Sequence, residues 1–382
     1  MQTARRLQAF GQTIFTEISR LALDHDAVNL GQGFPNFDGP DFVKDAAITA
    51  IRDGRNQYAP LSGVSRLRSA IADRFSRRTG IHVDPDRHVT VTSGCTEALT
   101  SAFLGLVDAG DEVVLIEPFY DSYPADLALA GATPRFVTLR PPDFALEEMA
   151  LRAAFSPKTR AILLNTPHNP TGRVFSRPEL ETVASLCKEF DAIAITDEVY
   201  EDLVFEGTHI SLAQLEGMWE RTITLSSLGK TFSLTGWKVG WAVGPDQLTA
   251  GLRAAHQFVT FATATPLQHA AATALRAPDA FYSDLVADYR RRRDLLTGGL
   301  VRLGFEVFVP EGTYFILADH TRFGFSDDVA FARHLVAEVG VAVIPPSAFY
   351  HRREDGSSLV RFAFCKDEAT IEEALHRMAS LR

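Results

Sequence analysis

In the stretch Ser226-Ser227-Leu228-Gly229-Lys230-Thr231-Phe232-Ser233-Leu234-Thr235-Gly236-Trp237-Lys238, a lysine sits in a small-residue turn directly after a β-rich run. Hydroxyls stand three residues before it and one after it, and a second lysine follows at plus eight. A lysine amine does covalent work when it loses its proton and attacks a carbonyl, forming a Schiff base; desolvation among Leu228, Phe232 and Trp237 would lower its pKa in that direction. Ser227 and Lys238 could grip an anion as hydroxyl and point charge. One segment therefore offers a covalent anchor and a phosphate grip, which predicts a phosphorylated carbonyl cofactor. Two plainer readings compete. The lysine could be a solvated surface residue, or Gly-Lys-Thr could end a nucleotide-binding P-loop, whose pattern requires Gly at position 224 where this chain has Thr224.

A second anion element is Ser93-Gly94-Cys95-Thr96-Glu97, between a strand-like and a helix-like run. Gly94 would let the backbone approach a phosphate, and the N–H groups of Cys95 and Thr96 would open the helix toward it; an ordinary N-cap is the alternative. Asp197 closes the apolar run Ala192–Thr196, where open α/β sheets place their ligands. A carboxylate there could pair with a protonated pyridine nitrogen and sustain a cofactor ring as an electron sink. Tyr200, three residues on, and Asn169 in Pro167-His168-Asn169-Pro170-Thr171-Gly172 could bond a phenolic oxygen of that ring, and Tyr120 could stack on it. Arg361 interrupts the apolar strand Leu359–Phe364; an arginine there is costly unless it meets an anion, either an amino-acid carboxylate or an internal acid.

Stepping outward, short β-rich runs alternate with amphipathic stretches from Val89 to Val243, which predicts a mostly parallel sheet covered by helices. Strands are expected at Val89–Thr92, Glu112–Ile116, Arg135–Leu139, Ala161–Leu164, Ala192–Thr196, Thr222–Leu225 and Val239–Val243. Helices are expected at Thr96–Val107 and Pro178–Phe190. After about Asp279 a long charged helix, Tyr282–Leu303, leads into β-like runs at Glu306–Val309 and Thr313–Leu317, a helix from Asp327, and strands near Val341 and Leu359. The division is thus a large α/β domain over 36–278 and a smaller α+β domain made of 279–382 with the segment 1–35. That first segment is too short to fold alone, so it packs on the C-terminal part or reaches a partner subunit. A chain of 382 residues suits two packed lobes.

The charge balance excludes some partners. With 48 acidic against 38 basic side chains and no Lys/Arg run, neither nucleic acid nor an anionic membrane surface is expected. Cys95, Cys187 and Cys365 are far apart and suggest neither disulfides nor a metal site, which fits reduced thiols in a cytosolic protein.

In order along the chain stand NLGQGFP, NQY, SGCTE, EPFYDSY, NTPHNPTG, TDEVYEDLVF, SLGKTFSLTGWKVGW, EGTYF and VRFAF. This set resembles the fold type I, class I aminotransferases, in the branch of kynurenine, glutamine and methionine aminotransferases and cysteine-conjugate β-lyases. The resemblance implies an aspartate-aminotransferase-like fold and pyridoxal 5'-phosphate as cofactor. It implies Lys230 as Schiff-base lysine and proton shuttle, Asp197 at the pyridine nitrogen, Asn169 and Tyr200 at the phenolic oxygen, and Tyr120 against the ring. Gly94, Cys95, Thr96, Ser227 and Lys238 map onto phosphate contacts, and Tyr58 onto one that crosses a homodimer interface. Gly33, Asn169 and Arg361 map onto the grip on the substrate α-carboxylate. The chain departs from the kynurenine-type pattern at Thr263, Ala264 and Thr96, where aromatic or histidine residues would be expected; Phe15, Phe34 and Phe349 could still form an apolar pocket. The expected reaction moves the amino group of an uncharged amino acid (methionine, glutamine, aromatic or kynurenine-like) to a 2-oxo acid. A β-lyase using the same site is the alternative, and a cofactor-sensing regulator lacks its basic N-terminal module.

Overall fold

The structure is a computed structural model describing residues 3–11 and 13–381. Its strands are β1 (Val28–Asn29), β2 (Val89–Thr92), β3 (Glu112–Glu117), β4 (Thr133–Thr138), β5 (Thr159–Asn165), β6 (Ile193–Asp197), β7 (Thr222–Ser227), β8 (Gly240–Val243), β9 (Glu306–Phe308), β10 (Phe315–Asp319), β11 (Val341–Ala342) and β12 (Leu359–Ala363). Seven of them form one sheet in the order β2-β8-β7-β6-β5-β3-β4. Neighbours from β4 across to β7 run parallel, while β8 lies antiparallel to both β7 and β2. Sheets of this kind are covered on both faces, so their strands are apolar almost throughout. Alternate residues serve opposite layers: Val114, Ile116, Ile162 and Leu164 pack toward the helix Arg177–Glu189, and Val113, Leu115, Ala161 and Leu163 toward the helix Gly94–Leu106. β4 begins at Thr133, two residues before the expected Arg135, because it is the edge strand and tolerates Pro134 without losing a ladder bond.

The remaining strands form a three-stranded antiparallel sheet, β12-β10-β9, and a parallel pair, β1-β11. Ile18 and Ala22 of the helix Ile14–Asp24 join Leu30, Leu300, Phe331 and Phe362 in a common core, so the N-terminal segment packs on the C-terminal part, the first of the two alternatives expected for it. The helix Asp279–Leu303 ends on Gly304 in the left-handed conformation, a C-cap in which glycine carries no Cβ penalty. No helix among the described residues is long and apolar enough to cross a membrane.

The direction of β8 positions the site. Running antiparallel, it starts at the rim where β2 and β7 end, so Gly240 pairs with both Thr92 and Ser227. A Cβ on Gly240 would stand 2.5 Å from the carbonyl carbon of Gly94 and 2.7 Å from Cys95 N. Behind the same turn, Glu97 accepts hydrogen bonds from Ser93 N (2.9 Å), Ser101 Oγ (2.5 Å) and His256 Nδ1 (3.0 Å), while His256 Nε2 faces Leu61 O at 3.0 Å. Both ring nitrogens face oxygen acceptors, which favours the doubly protonated ring. Burial opposes that charge, but the hydrogen bond and charge of Glu97 outweigh it and hold His256 above its ordinary value.

Two expectations follow from this packing. Gly240→Ala forces β8 against the Gly94 turn and should cost about 1–3 kcal/mol of stability in denaturant titrations. A raised histidine contributes stability that is complete below its unfolded value, about 6.5, and is lost as pH rises through the folded one. His256→Gln should therefore destabilise by about 2 kcal/mol in mild acid, with the gap to wild type narrowing in alkaline melts; a pH-independent gap would refute the charged pair.

Candidate active site

The carboxyl ends of β3, β5, β6 and β7, the start of β8 and a face of β12 surround a cavity of about 450 Å³. Lining it are Gly33, Gly94, Cys95, Thr96, Tyr120, Asn169, Asp197, Tyr200, Ser227, Lys230, Lys238 and Arg361, that is, all of the sequence-derived candidates except Tyr58. Tyr58 is 87% exposed and stands edge-on to Phe261, 5.7 Å away, outside this cavity.

Lys230 follows β7 on the single helical turn Leu228–Thr231. Its Nζ donates to the Tyr314 hydroxyl at 2.9 Å and lies 5.6 and 5.5 Å from the ring centroids of Tyr200 and Tyr314. Burial lowers its pKa below the ordinary lysine value, with Cys365 and Asp197 pulling the other way. The direction agrees with expectation: Leu228 and Phe232 lie in the core with Val89 and Trp241, Trp237 packs against that core, and the rings of Tyr200 and Tyr314 stand at the amine itself. Thr231 is also absent from the lining; its hydroxyl donates to Asp202 at 2.9 Å.

Asp197 ends β6 and is held from three sides. Tyr123 donates its hydroxyl to Oδ2 at 2.8 Å, Val199 N approaches Oδ1 at 3.3 Å, and Asn165 Nδ2 donates to the Asp197 backbone oxygen at 2.8 Å. Asn165 Oδ1 in turn accepts from Asn169 N at 2.7 Å, so one amide at the end of β5 sets both neighbours. Burial raises the Asp197 carboxyl above its usual range despite these donors, and a cation beside it would offset that cost. Tyr120 stands edge-on to Tyr123 with ring centroids 5.7 Å apart, its phenol pushed up to about 12 by burial and nearby acids.

At the opposite end, Gly94 has φ +79°, and a Cβ there would meet Lys238 Cε at 3.2 Å and Nζ at 3.3 Å. Glycine adopts that φ without strain and leaves room for the ammonium. Lys238 itself adopts a left-handed conformation, φ 53°, at the turn into β8. Ser93 makes no side-chain capping bond, although Glu97 accepts from Ser93 N at 2.9 Å as a helix-start acid can, and Gly94, Cys95 and Thr96 at the first turn line the cavity.

Arg361 is 2% exposed in β12. Its Nη2 donates to Gly31 O at 2.9 Å and Nη1 reaches Asn169 Oδ1 at 3.4 Å, while Nε has no partner. Phe315 lies 4.2 Å from the guanidinium, with Phe15 and Phe349 each at 5.2 Å. Among the described residues no carboxylate forms an ion pair with it, which removes the internal salt-bridge alternative. Burial pulls its pKa down to about 10, so it remains a cation at neutral pH. Phe15 and Phe34 line the cavity as expected, whereas Phe349 stacks behind Phe15 at 5.7 Å instead.

Tyr123, Asn165, Tyr314, Phe315 and Asp121 were not singled out from the sequence, although each lies in or beside a quoted motif. Local pattern does not say which of several adjacent polar or aromatic side chains turns inward.

The arrangement fits pyridoxal 5'-phosphate: an anion grip of Lys238, Ser227 and helix N–H groups at one end, a buried acid at another, a nucleophilic lysine amine between them, and a guanidinium with an unpartnered Nε for a carboxylate. The model of the family described as "Aminotransferase class I and II" matches residues 25–378. The chain is 47% identical over 390 residues to a probable N-succinyldiaminopimelate aminotransferase of Mycobacterium tuberculosis, covering 99% of this chain and 98% of the relative. It is 41% identical over 403 residues to human kynurenine–oxoglutarate transaminase 1, covering 97% and 96%. A solved Escherichia coli structure, YbdL, identified with a methionine aminotransferase function, superposes with a TM-score of 0.96 at 40% identity and full coverage of both chains. All three are transaminases, which gives the lyase alternative no support. With residues, geometry and likeness in agreement over almost the whole length, the chain belongs to the class I and II aminotransferases, which depend on pyridoxal 5'-phosphate.

Proposed function

We propose that this aminotransferase takes uncharged L-amino acids, methionine, glutamine or aromatic and kynurenine-like donors, and passes their amino group to a 2-oxo acid. The observation that carries the reading is the charge inventory of the cavity. Its lining holds three cations, Lys230, Lys238 and Arg361, and each has a task. Lys230 carries the cofactor covalently, Lys238 with Ser227, Gly94, Cys95 and Thr96 holds its phosphate, and Arg361 with Asn169 and Gly33 grips the donor's α-carboxylate in bidentate fashion. Among the described residues of one chain, no lining cation remains for a second carboxylate. Asp121, which also lines the cavity with its carboxyl raised by burial, disfavours an acidic side chain further, and Phe15, Phe34 and Phe315 offer apolar wall.

Bound pyridoxal phosphate supplies an electron sink for the pair left when a bond at Cα breaks. Asp197 would pair with the pyridine nitrogen, Tyr200 and Asn169 would hold the phenolic oxygen, and Tyr120 would lie against the ring. The Lys230 amine, when free, would take the proton from the donor's Cα and return it. The split into a lobe of 36–278 and one of 1–35 with 279–382 is supported by strand positions: the seven-stranded sheet lies within 89–243, the others at 28–29 and 306–363. A homodimer completes the reading. Tyr58, Phe261 and the 85% exposed Phe258 leave aromatic surface uncovered on a single chain, and Tyr58 is free to reach a partner's phosphate site.

A second reading, N-succinyldiaminopimelate as donor, is favoured by the 47% identity to the mycobacterial relative, but its additional carboxylates need cations that the cavity lining lacks.

The test is a half-reaction by absorption spectroscopy. Methionine, glutamine, kynurenine, glutamate and N-succinyldiaminopimelate are each added without oxo acid, and loss of the visible cofactor band is followed by its return with a 2-oxo acid. An uncharged donor should convert the band fastest; preference for the succinylated or an acidic donor would overturn the charge argument. Lys230→Ala should retain the fold and lose at least about 10²-fold in turnover, the low end of what a positioned proton carrier contributes. Sedimentation should give twice the chain mass, and a monomer with full activity would remove the role of Tyr58.

A further inference from the structure

Tyr314 touches both halves of the site yet has no place in the roles above. Its hydroxyl has one proton and two close hydrogen-bonding neighbours, Gly33 O at 2.6 Å, which can only accept, and Lys230 Nζ at 2.9 Å, with the Tyr200 phenol interacting more weakly from the side. The proton must therefore go to the carbonyl, and the lysine must donate to the hydroxyl's lone pair. The ring has no freedom to rearrange this. It is fully buried, stacked on Tyr289 at 6.0 Å, edge-on to Tyr200 at 5.2 Å and beside Phe315 at 4.8 Å. Its own backbone oxygen accepts from Phe364 N at 2.9 Å. Gly33 O is likewise fixed, because Arg361 holds Gly31 O at 2.9 Å and Lys366 holds Phe34 O at 2.6 Å on either side of it.

We propose that Tyr314 is a positioning residue for Lys230: with its proton committed to Gly33, it holds the lysine amine as a donor and leaves the amine's lone pair free to take the proton from Cα. In that step the Cα–H bond breaks, the proton joins the lone pair to give an ammonium, and the bonding pair stays on the carbon side. A tyrosine free to turn its proton toward the amine would occupy that lone pair. The inference rests on the assignment of Lys230 as proton carrier.

The chemistry gives a signature separate from turnover. An acceptor favours the charged form of its donor, so the hydroxyl supports the ammonium against burial. The other charged and titratable groups around the amine are Asp197 and Cys365, which support its charge, Arg361 and Lys238, which oppose it, and the Tyr200 phenol and Cys95 thiol; the substitution leaves all six in place. Tyr314→Phe should lower kcat about tenfold, the weight of one ordinary hydrogen bond, with KM for the amino donor unchanged within about twofold. In cofactor-free protein, trace acetylation of Lys230 followed by mass spectrometry across pH should show its inflection moved down by about one unit, so that the lysine labels faster at neutral pH while the loaded enzyme turns over more slowly. Tyr289→Phe, which removes a neighbouring hydroxyl that has no hydrogen-bond partner, should change neither value. An unmoved inflection, or unchanged kcat, would overturn the proposal. Should Tyr314→Phe fail to fold, Tyr314→Leu repeats the labelling measurement with the same criterion. If Lys230→Ala kept turning over while the labelling shift appeared, the proton-carrier reading would fall, and the hydrogen-bond geometry would stand.

Discussion

Desolvation of two cations in one aromatic-walled cavity is the constraint on which the rest depends. Lys230 must lose enough hydration to surrender its proton, and Arg361 must lose enough to bind a carboxylate strongly in place of water. Neither burial is favourable by itself, and unpaired buried charge is among the costliest features a protein can carry. The structure keeps both by surrounding them with rings, Tyr200 and Tyr314 at the lysine, Phe15, Phe315 and Phe349 at the arginine, and by giving the lysine one hydrogen bond and the arginine two to fixed oxygens. What remains unsatisfied, Arg361 Nε above all, is polarity held ready for a ligand.

That readiness needs rigid support, which the sheet supplies. Parallel strands deliver Asn165, Asp197 and Ser227 to one rim because their carboxyl ends all point the same way. One strand of opposite sense, β8, brings Lys238 to the same rim from the other direction, beside the Gly94 turn. The close approach of Gly94 and Gly240 is the consequence, and it explains why Gly240 has no space for a side chain, while Gly94 is held to glycine by its left-handed φ of +79°. Asn165 illustrates how little is needed to lock such a site: a single amide bonds the ends of two elements and thereby fixes an acid and a substrate-facing asparagine together.

Legibility from the sequence followed the range of the forces involved. Alternation and apolar runs located the strands of the large sheet to within a few residues, since strand periodicity is a property of adjacent residues. The shift of β4 to Thr133 came from its place at the edge, which is a property of the whole sheet. Lys230, Lys238, Ser227, the Gly94 turn and Asp197 were recognisable as cavity residues because their spacing lies within short segments and because the ordered series of motifs has few other interpretations. The rings at the Lys230 amine, Tyr200 and Tyr314, were not legible in the same way, because they come from other segments than Leu228 and Phe232, which turn into the core.

By itself, then, the sequence determined the fold class, the family and the segments that bring chemistry, because these are written in local periodicity, turn residues and motif order. Only the tertiary structure decided which side chains meet. Tyr314 reaches Lys230 from 84 positions away, Tyr123 reaches Asp197 from 74, and Arg361 has aromatic rings but no acid beside it. The Tyr123 contact depends on the order of strands in the large sheet, and the Tyr314 and Arg361 contacts on how the C-terminal sheet packs beside it. Such packing is set by whole layers rather than by any window of residues, and it converts a catalogue of plausible groups into one cavity with three cations and a defined proton path.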